Sequence, residues 1–363
     1  MSTVFKHPSF KKHEQIIYCH DEYSGLNAII AIHNTQLGSA LGGCRMYPYA
    51  TEQEALNDVL RLSESMTYKS AIANLNFGGG KAVIIGDPRK ISSETLFRTF
   101  GRFVNSLNGR YITAEDVGTN EKFMAWIRIE TKHVVGIPSY IGGLGDPSPW
   151  TAHGTLMGIL ASLKKQTGSE NLDGIKVAVQ GIGHVGYHLC RELFERGAKL
   201  FVSDINKELT KKAAEQFNAT VIPLNKIYDQ DVDVFSPCAL GAVINDQTID
   251  RLKCSIVSGA ANNILADEEK HGKKLQKKGI LYAPDFVVNA GGLLDVASEF
   301  FHVHQLEFLK TKVEEIYQTT LAIFETADQK NMPSNLAAIH LAKERIEAVR
   351  QVKNIYTHRR HRE

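Results

Sequence analysis

A chain of 363 residues with 43% hydrophobic content exceeds what one compact core usually holds, so two domains with a ligand cleft between them are expected. Its 42 basic and 40 acidic residues leave a formal charge of +2 without a long run of either sign; this excludes the basic footprint of a nucleic-acid binder and points to small-molecule partners. Met1 to Glu14 is polar rather than an apolar leader, no apolar run reaches the roughly 18 residues of a membrane span, and the cysteines, Cys19, Cys44, Cys190, Cys238 and Cys254, are scattered without a CxxC pair. A soluble cytoplasmic protein with reduced thiols and no membrane partner is expected.

The stretch from Asn27 to His33 is apolar and β-branched, a strand pattern that Gly38, Gly42 and Gly43 interrupt. Thr51 and Glu54 form a capping box, behind which Ala55, Val59, Leu62 and Met66 recur at helical spacing, with Lys69 near the helix end. Gly78-Gly79-Gly80 predicts a tight bend, Lys81 a junction, and Ala82 to Ile85 a strand closed by Asp87-Pro88. A second helix carries Leu96, Phe100, Phe103 and Leu107 as core positions, and a strand from Arg110 to Thr113 leads into Ala114-Glu115-Asp116.

From Trp150 onward strands alternate with helices, the pattern of a parallel sheet with crossover helices. The expected strands are Lys176 to Gln180, Lys199 to Val202, Thr220 to Ile222, Asp233 to Phe235, Ser255 to Ser258 and Ile280 to Ala283, enough for a doubly wound sheet. After Asn289 the pattern is helical, with Leu306, Leu309, Val313 and Ile316 on one face and Pro333-Ser334 opening a last helix to about Arg350. These helices are expected to cross back to the first domain, and His358 to Glu363 reads as a frayed tail.

Val177 to Gly186 runs a strand straight into Gly181-Ile182-Gly183-His184-Val185-Gly186, a helix follows, and Asp204 ends the next strand 21 positions past Gly183. A lone GxGxxG is weak, but strand, helix, second strand and acidic residue together form a dinucleotide fingerprint. Gly181 permits the sharp turn, Gly183 lets backbone amides approach a pyrophosphate, and Gly186 lets the helix pack close to the strand. Asp204 would accept from ribose hydroxyls and repel a 2′-phosphate, which favours NAD over NADP.

Lys69 and Lys81 stand twelve positions apart. By spacing alone they fit solvated surface groups as well as they fit a site. The site reading rests on glycines that let a substrate approach the backbone, and on burial beside a second cation, which makes a lysine a better general base.

Several segments resemble the glutamate/leucine/phenylalanine/valine dehydrogenase family: Leu41-Gly42-Gly43-Cys44-Arg45-Met46, Met66-Thr67-Tyr68-Lys69, Asn76-Phe77-Gly78-Gly79-Gly80-Lys81, Thr113-Ala114-Glu115-Asp116-Val117-Gly118-Thr119 and Asp146-Pro147-Ser148-Pro149. Pro237-Cys238-Ala239-Leu240-Gly241, Gly259-Ala260-Ala261-Asn262-Asn263, Tyr282-Ala283-Pro284-Asp285 and Asn289-Ala290-Gly291-Gly292 continue the likeness in the family's order over nearly the whole chain. The resemblance implies catalytic roles for Lys81 and Asp116, with Lys69 on the substrate α-carboxylate and the Gly42-Gly43 amides at the substrate. It also places Asn262, Ala239 and Val185, with the three glycines and Asp204, around the cofactor. Hydride transfer from Cα would leave an iminium, Lys81 would activate the attacking water, and Asp116 would carry protons to and from nitrogen.

Leu41 and Val296 stand where glutamate-specific relatives carry a lysine and a serine, and with Ala114 and Leu293 they describe an apolar pocket. Leucine, isoleucine or valine is the expected L-amino acid, released as a 2-oxo acid and ammonia; phenylalanine or tryptophan is the alternative, because a methylene in such a pocket is worth only about 1–3 kcal/mol. The implied architecture is α/β in two domains. Residues 1–148 with 331–363 form an N-terminal α/β domain with a mixed sheet for substrate binding and oligomerisation, and residues 149–330 form a Rossmann-type doubly wound NAD-binding domain. A homo-oligomer, dimer or octamer, is implied as well. Trp150 departs from the smaller residue the family pattern suggests and is expected to pack between the domains. A non-catalytic NAD sensor is the alternative of a different class, against which Lys69, Lys81 and Asp116 argue. A metal site is not expected, since His302-x-His304 lacks thiolates or carboxylates at ligand spacing.

Overall fold

A computed structural model describes residues 4–303 and 305–353; the tail from His358 and His304 of the histidine pair lie outside the described residues. Internal contacts divide the chain into two units, one of residues 1–145, 296–304 and 342–363, the other of residues 146–295 and 305–341. The segment 296–304 belongs to the first unit, and the return to it comes within the last helix at residue 342. The expected boundaries contained neither feature.

The first unit is built from β1 (Gln15–Asp21), β2 (Leu26–Asn34), β3 (Ala40–Tyr47), α1 (Glu52–Ile72), β4 (Gly78–Ile85), α2 (Pro88–Ile91), α3 (Glu94–Ser106), β5 (Tyr111–Glu115) and α4 (Glu121–Glu130). Its five strands lie in the order β1-β2-β4-β3-β5. Only β2 runs against its neighbours, while β4, β3 and β5 are mutually parallel. The sheet is therefore mixed, with an apolar layer on each face. Ala55, Leu56, Val59 and Leu60 of α1 bury against Ile29, Ala31 and Val83 on one face. Leu96, Phe97 and Phe100 of α3, with Met124 and Ile127 of α4, bury against Ile30, Ile32, Cys44, Ala82 and Ile84 on the other.

The glycine runs depart from expectation. Gly42 and Gly43 lie inside β3, and Gly78 to Gly80 lie inside β4, where a bend was predicted. The reason is close approach rather than turning: a Cβ on Gly79 would sit 2.0 Å from Thr67 Oγ1 of α1, and one on Gly80 would sit 2.7 Å from the Tyr111 ring. Because α1 lies so near the sheet, its buried line runs through Leu56, Leu60, Ser63, Thr67 and Ser70, and Leu62 and Met66 are half-buried. Thr51 caps α1 by accepting from the Glu54 amide, but the Glu54 carboxylate reaches the Ala50 amide instead of closing the box on Thr51.

The second unit follows the doubly wound plan. It comprises α5 (Ser148–Thr167), β6 (Lys176–Gln180), α6 (His184–Glu195), β7 (Lys199–Ser203), α7 (Lys207–Phe217), β8 (Thr220–Val221), β9 (Val234–Pro237), β10 (Ile256–Val257), α8 (Glu268–Lys277), β11 (Leu281–Tyr282) and α9 (Asp285–Val288). The strands lie β11-β10-β9-β6-β7-β8 and every pair is parallel. Read in chain order that is 3-2-1-4-5-6, with the switch point between β6 and β9. All six expected strands are present, within a residue or two at their ends.

Three helices end the described residues: α10 (Gly291–Phe300), α11 (Leu306–Lys330) and α12 (Ser334–Lys353). Leu309, Val313 and Ile316 of α11 are buried as the helical spacing predicts, but Leu306 is 66% exposed. Of the helices expected to cross back, α11 does not, in keeping with the expected bounds of 149–330 for the second domain. This helix stays with the second unit, packed along α5. Trp150, near the start of α5, lines a cavity of about 400 Å³ with Pro149, His153, Arg191, Glu192 and Lys310, all of the same unit. Among the described residues no helix is long and apolar enough to cross a membrane.

Candidate active site

In the first unit the chemistry-bearing side chains gather at the C-terminal ends of β3 and β5 and on β4. Lys81 sits mid-strand on β4, opposite Ala31 of β2, and is 7% exposed. Asp116 follows β5 directly, and its Oδ2 lies 2.5 Å from Lys81 Nζ. A second cation, Arg45 of β3, brings Nε to 3.5 Å from the same oxygen. Gly43 makes room for this cluster, because a Cβ there would come within 2.9 Å of Asp116 Cβ and 2.4 Å of Glu115 O.

The turn that carries Asp116 is fixed by its neighbours. The Asp116 amide donates to Thr119 Oγ1 at 2.8 Å, the Thr119 hydroxyl donates to Cys44 O of β3 at 2.9 Å, and the Val117 amide donates to Asp116 Oδ1 at 2.8 Å. Gly118 takes φ +81°, and a side chain there would strike Met46 O at 2.0 Å; only glycine suits both conditions. Burial alone would push the Asp116 carboxyl up. The charges of Lys81 and Arg45, and the bonds from Lys81 and the Val117 amide, outweigh burial and hold it below the usual carboxylate range.

Around this cluster Leu41 is 1% and Ala114 8% exposed, Leu41 pairing with Ile112 and Gly43 with Ala114 across β3 and β5. Lys69 stands one turn along α1 from Met66, whose Cγ lies 3.3 Å from where a Gly42 Cβ would be. Val296 is half-buried on α10 within the first unit, while Leu293, three residues earlier on the same helix and buried, belongs to the second. The structure thus gathers Lys81, Asp116 and Gly43 into one cluster, with Leu41, Gly42 and Ala114 on the strands that build it.

In the second unit, Gly181 follows β6 with φ +97°, and its Cβ position would lie 2.5 Å from Ala239 Cβ. The glycine loop and the loop after β9 therefore touch at the switch point, and any side chain would drive them apart. A Cβ on Gly183 would meet nothing within 4 Å, whereas one on Gly186 would lie 2.0 Å from Gly181 O. Helix α6 begins at His184 with Gly183 as its cap and no side-chain cap bond, so its first amides point past Gly183 without a side chain to satisfy them. Val185 lies in this first turn. Asp204 Oδ2 accepts from the Ile182 amide at 2.6 Å and Oδ1 from the Asn206 amide at 2.8 Å. Asn262 is exposed and its Oδ1 accepts from Asn289 Nδ2 at 2.8 Å, which aims the Asn262 amide nitrogen away from Asn289.

Sequence reasoning missed three residues of these sites. Thr119 was legible as an Asp-x-x-Thr turn. Arg45 stands two residues past Gly43 and shares its face of β3, a period-two signal that identifies the face but not the partner. Asn289 stands in a segment that carries the family resemblance, but nothing in the sequence pairs it with Asn262, since only the fold brings the two together.

Comparison with known proteins identifies the family. The family description "Glu/Leu/Phe/Val dehydrogenase, dimerisation domain" matches residues 13–133, and "Glutamate/Leucine/Phenylalanine/Valine dehydrogenase" matches residues 202–354. The chain is 52% identical over 353 residues to a leucine dehydrogenase of Thermoactinomyces intermedius, spanning 97% of this chain and 96% of that one. It is 47% identical to a phenylalanine dehydrogenase of Bacillus thermotolerans, over 98% of this chain and 93% of the relative. The crystal structure of L-tryptophan dehydrogenase from Nostoc punctiforme superposes with a TM-score of 0.84 at 46% identity, covering 94% of this chain and 97% of that one. The chain belongs to the glutamate/leucine/phenylalanine/valine dehydrogenase family and is an amino-acid dehydrogenase, an oxidoreductase.

Proposed function

We propose that the protein catalyses the NAD-dependent, reversible oxidative deamination of an apolar L-amino acid, leucine first and isoleucine or valine next, to the 2-oxo acid and ammonia. The observation that carries this reading is the buried pair of Lys81 Nζ and Asp116 Oδ2 at 2.5 Å beside the glycine-lined strands, a base and a proton carrier side by side. The first unit would bind the amino acid and the second the dinucleotide. Leu41, Ala114 and Val296 of the first unit would form an apolar side-chain pocket, and Leu293 of the second is proposed as a further substrate-binding residue. A second carboxylate against the buried Leu41 would have no partner there, which disfavours glutamate.

The second unit fits NAD in three respects. Gly183 leaves open space at the cap of α6, the first-turn amides lack side-chain partners, and the Asp204 carboxylate stands at the end of β7. Gly181, Gly183, Val185 and Gly186 would cradle the pyrophosphate, Asp204 would hold the adenosine ribose, and Ala239 and Asn262 would flank the nicotinamide half. When bound, the nicotinamide accepts the hydride from the substrate Cα.

The chain's own groups supply the rest. Lys69 binds the α-carboxylate and, with the Gly42 and Gly43 amides, orients Cα. Asp116 takes one proton from the substrate ammonium, and loss of hydride then leaves an iminium. Water attacks the iminium carbon while Lys81, entering this step unprotonated, takes its proton. Asp116 returns its proton to nitrogen, the hydroxyl loses its own to Asp116, and ammonia departs as the C=O forms. An association into a homo-oligomer, dimer or octamer, is part of the same reading, as is cytoplasmic residence.

Initial rates of NADH formation with leucine, isoleucine, valine, phenylalanine, tryptophan and glutamate test this. Leucine is expected to lead, and Lys81→Ala is expected to lose at least 10² in kcat while still binding NAD. An aromatic lead would keep the mechanism and reassign the pocket. No turnover with any of the six would sink the proposal and favour an NAD sensor.

A further inference from the structure

Resting on the mechanism proposed above, we infer that Arg45, braced by Asp58 and Tyr49, is a positioning residue that supplies Asp116 with a permanent counter-charge while Lys81 is uncharged. Asp116 Oδ2 has two cations: Lys81 Nζ at 2.5 Å and Arg45 Nε at 3.5 Å. Arg45 in turn directs Nη1 to Asp58 Oδ2 of α1 at 2.9 Å, and that oxygen also accepts from the Tyr49 hydroxyl at 2.7 Å. The guanidinium is thereby stretched between two carboxylates, one edge on each.

The need for it follows from the proton cycle. Lys81 must be neutral when it takes a proton from water, so it is already neutral earlier in the cycle, when Asp116 waits as a carboxylate for the ammonium proton with no Lys81–Asp116 ion pair to hold it. A largely buried carboxylate without a cation either takes up a proton or draws in solvent. Protonated too early, Asp116 could not accept from the substrate ammonium. Arg45 does not release its proton in the working pH range, so its charge persists through every step. A lysine at this position could supply the charge but not the fork that reaches both Asp116 and Asp58.

The surroundings contain few other cations. Lys81 faces Asp116 from β4, Arg45 and Cys44 from β3 and Tyr111 from β5; Glu115 precedes Asp116 in the chain, Asp58 and Lys69 lie on α1, and Tyr49 follows β3. Cys44 and Tyr111 are held neutral by burial. Lys69 is committed to the substrate carboxylate in the proposed mechanism.

The test is the pH profile of kcat and kcat/KM for wild type, Arg45→Gln, Arg45→Lys and the paired variant Arg45→Gln with Asp58→Asn, using the best amino acid and NAD, with NAD dissociation constants and melting curves alongside. Arg45→Gln is expected to lower kcat tenfold or more, to leave KM within about threefold, and to move the acid limb upward by about one pH unit, the scale of losing one nearby charge. Arg45→Lys should restore the limb to within a few tenths of a unit without restoring full kcat. The paired variant removes both partners and leaves no stranded charge, so it reports the same limb shift if Arg45→Gln alone fails to fold. An acid limb that stays in place in Arg45→Gln and in the paired variant overturns the inference, as does an Arg45→Lys limb displaced as far as that of Arg45→Gln. Failure of the underlying mechanism would look different, because the Lys81→Ala variant would then turn over normally.

Discussion

Asp204 would serve two purposes with one side chain. Both of its oxygens accept backbone amides, Oδ2 from Ile182 in the glycine loop and Oδ1 from Asn206, so it shapes the loop, and in the proposed function it would also hold a ribose. Removing the charge while keeping an acceptor separates these duties. Asp204→Asn is expected to raise the ratio of NADP to NAD turnover at least tenfold with little change in melting temperature, whereas Asp204→Ala should also loosen the glycine loop and weaken both cofactors. Equal cofactor preference in wild type and Asp204→Asn would show that the charge does not discriminate. At this scale the sequence singled out Lys81 and Asp116, which the structure brings together, and Asp204, which it places against the glycine loop. It did not reveal the partners of Arg45, Asp58 and Asn289, which are far away in the chain and are set by strand register and helix packing.

At the scale of elements, the glycines of β4 and the histidines beneath α1 tell one story. His13 Nε2 points at Leu60 O at 3.0 Å, while its Nδ1 receives the Lys11 amide at 3.1 Å; both ring nitrogens are used by the neutral form. His33 repeats the pattern, with Nε2 toward Lys11 O at 3.1 Å and Nδ1 toward the Thr67 hydroxyl at 2.7 Å. Thr67 is the residue that presses on Gly79. Burial, with the neighbouring His33 charge, pushes His13 down to about 4, and burial also lowers His33. With the folded value below the unfolded one of about 6.5, the unfolded chain binds the extra proton first as pH falls. Stability is therefore lost from about pH 6.5 downward, and the His13 contribution levels off near 4. Denaturant midpoints of wild type and His13→Asn between pH 4 and 8 should converge as the pH drops; parallel curves would remove His13 from the account.

Gly79→Ala tests the same contact from the other side. Its Cβ would lie 2.2 Å from Thr67 N as well as 2.0 Å from Thr67 Oγ1, and helix backbone cannot step aside as a flexible side chain can. The expected cost is about 3 kcal/mol, the upper end of ordinary overpacking, read as a lower denaturant midpoint; a change under about 1 kcal/mol would mean that α1 is free to lift. The glycine runs misled sequence reading for this reason. Glycine marks both turns and close approaches, and only the presence of α1 against the sheet decides which applies here.

For the whole molecule, the parts best read from sequence were those whose hydrophobic runs are short, β-branched and bounded by turns: β6, β7 and β9 are buried on both faces of a parallel sheet and read almost to the residue. The chain crossings were not legible, because α10 and α11 carry apolar faces that would suit either unit, and periodicity reports that a face is buried without reporting against what. The two units close separate cores, the first around Phe97, Phe100 and Tyr111 and the second around Phe235, Ile256 and Val257. A ligand that binds only one of them should then stabilise only that one. At one hundred times its dissociation constant NAD adds about 2.7 kcal/mol to whatever opening exposes its site, which is about a hundredfold in amide exchange. Hydrogen exchange is therefore expected to slow by that factor in β6, α6 and the loop between them, while α1 and β4 keep their rates. Equal slowing in α1 and β4 would mean that the two units open as one cooperative body, and that the division into substrate and cofactor units is one of contacts alone and not of stability.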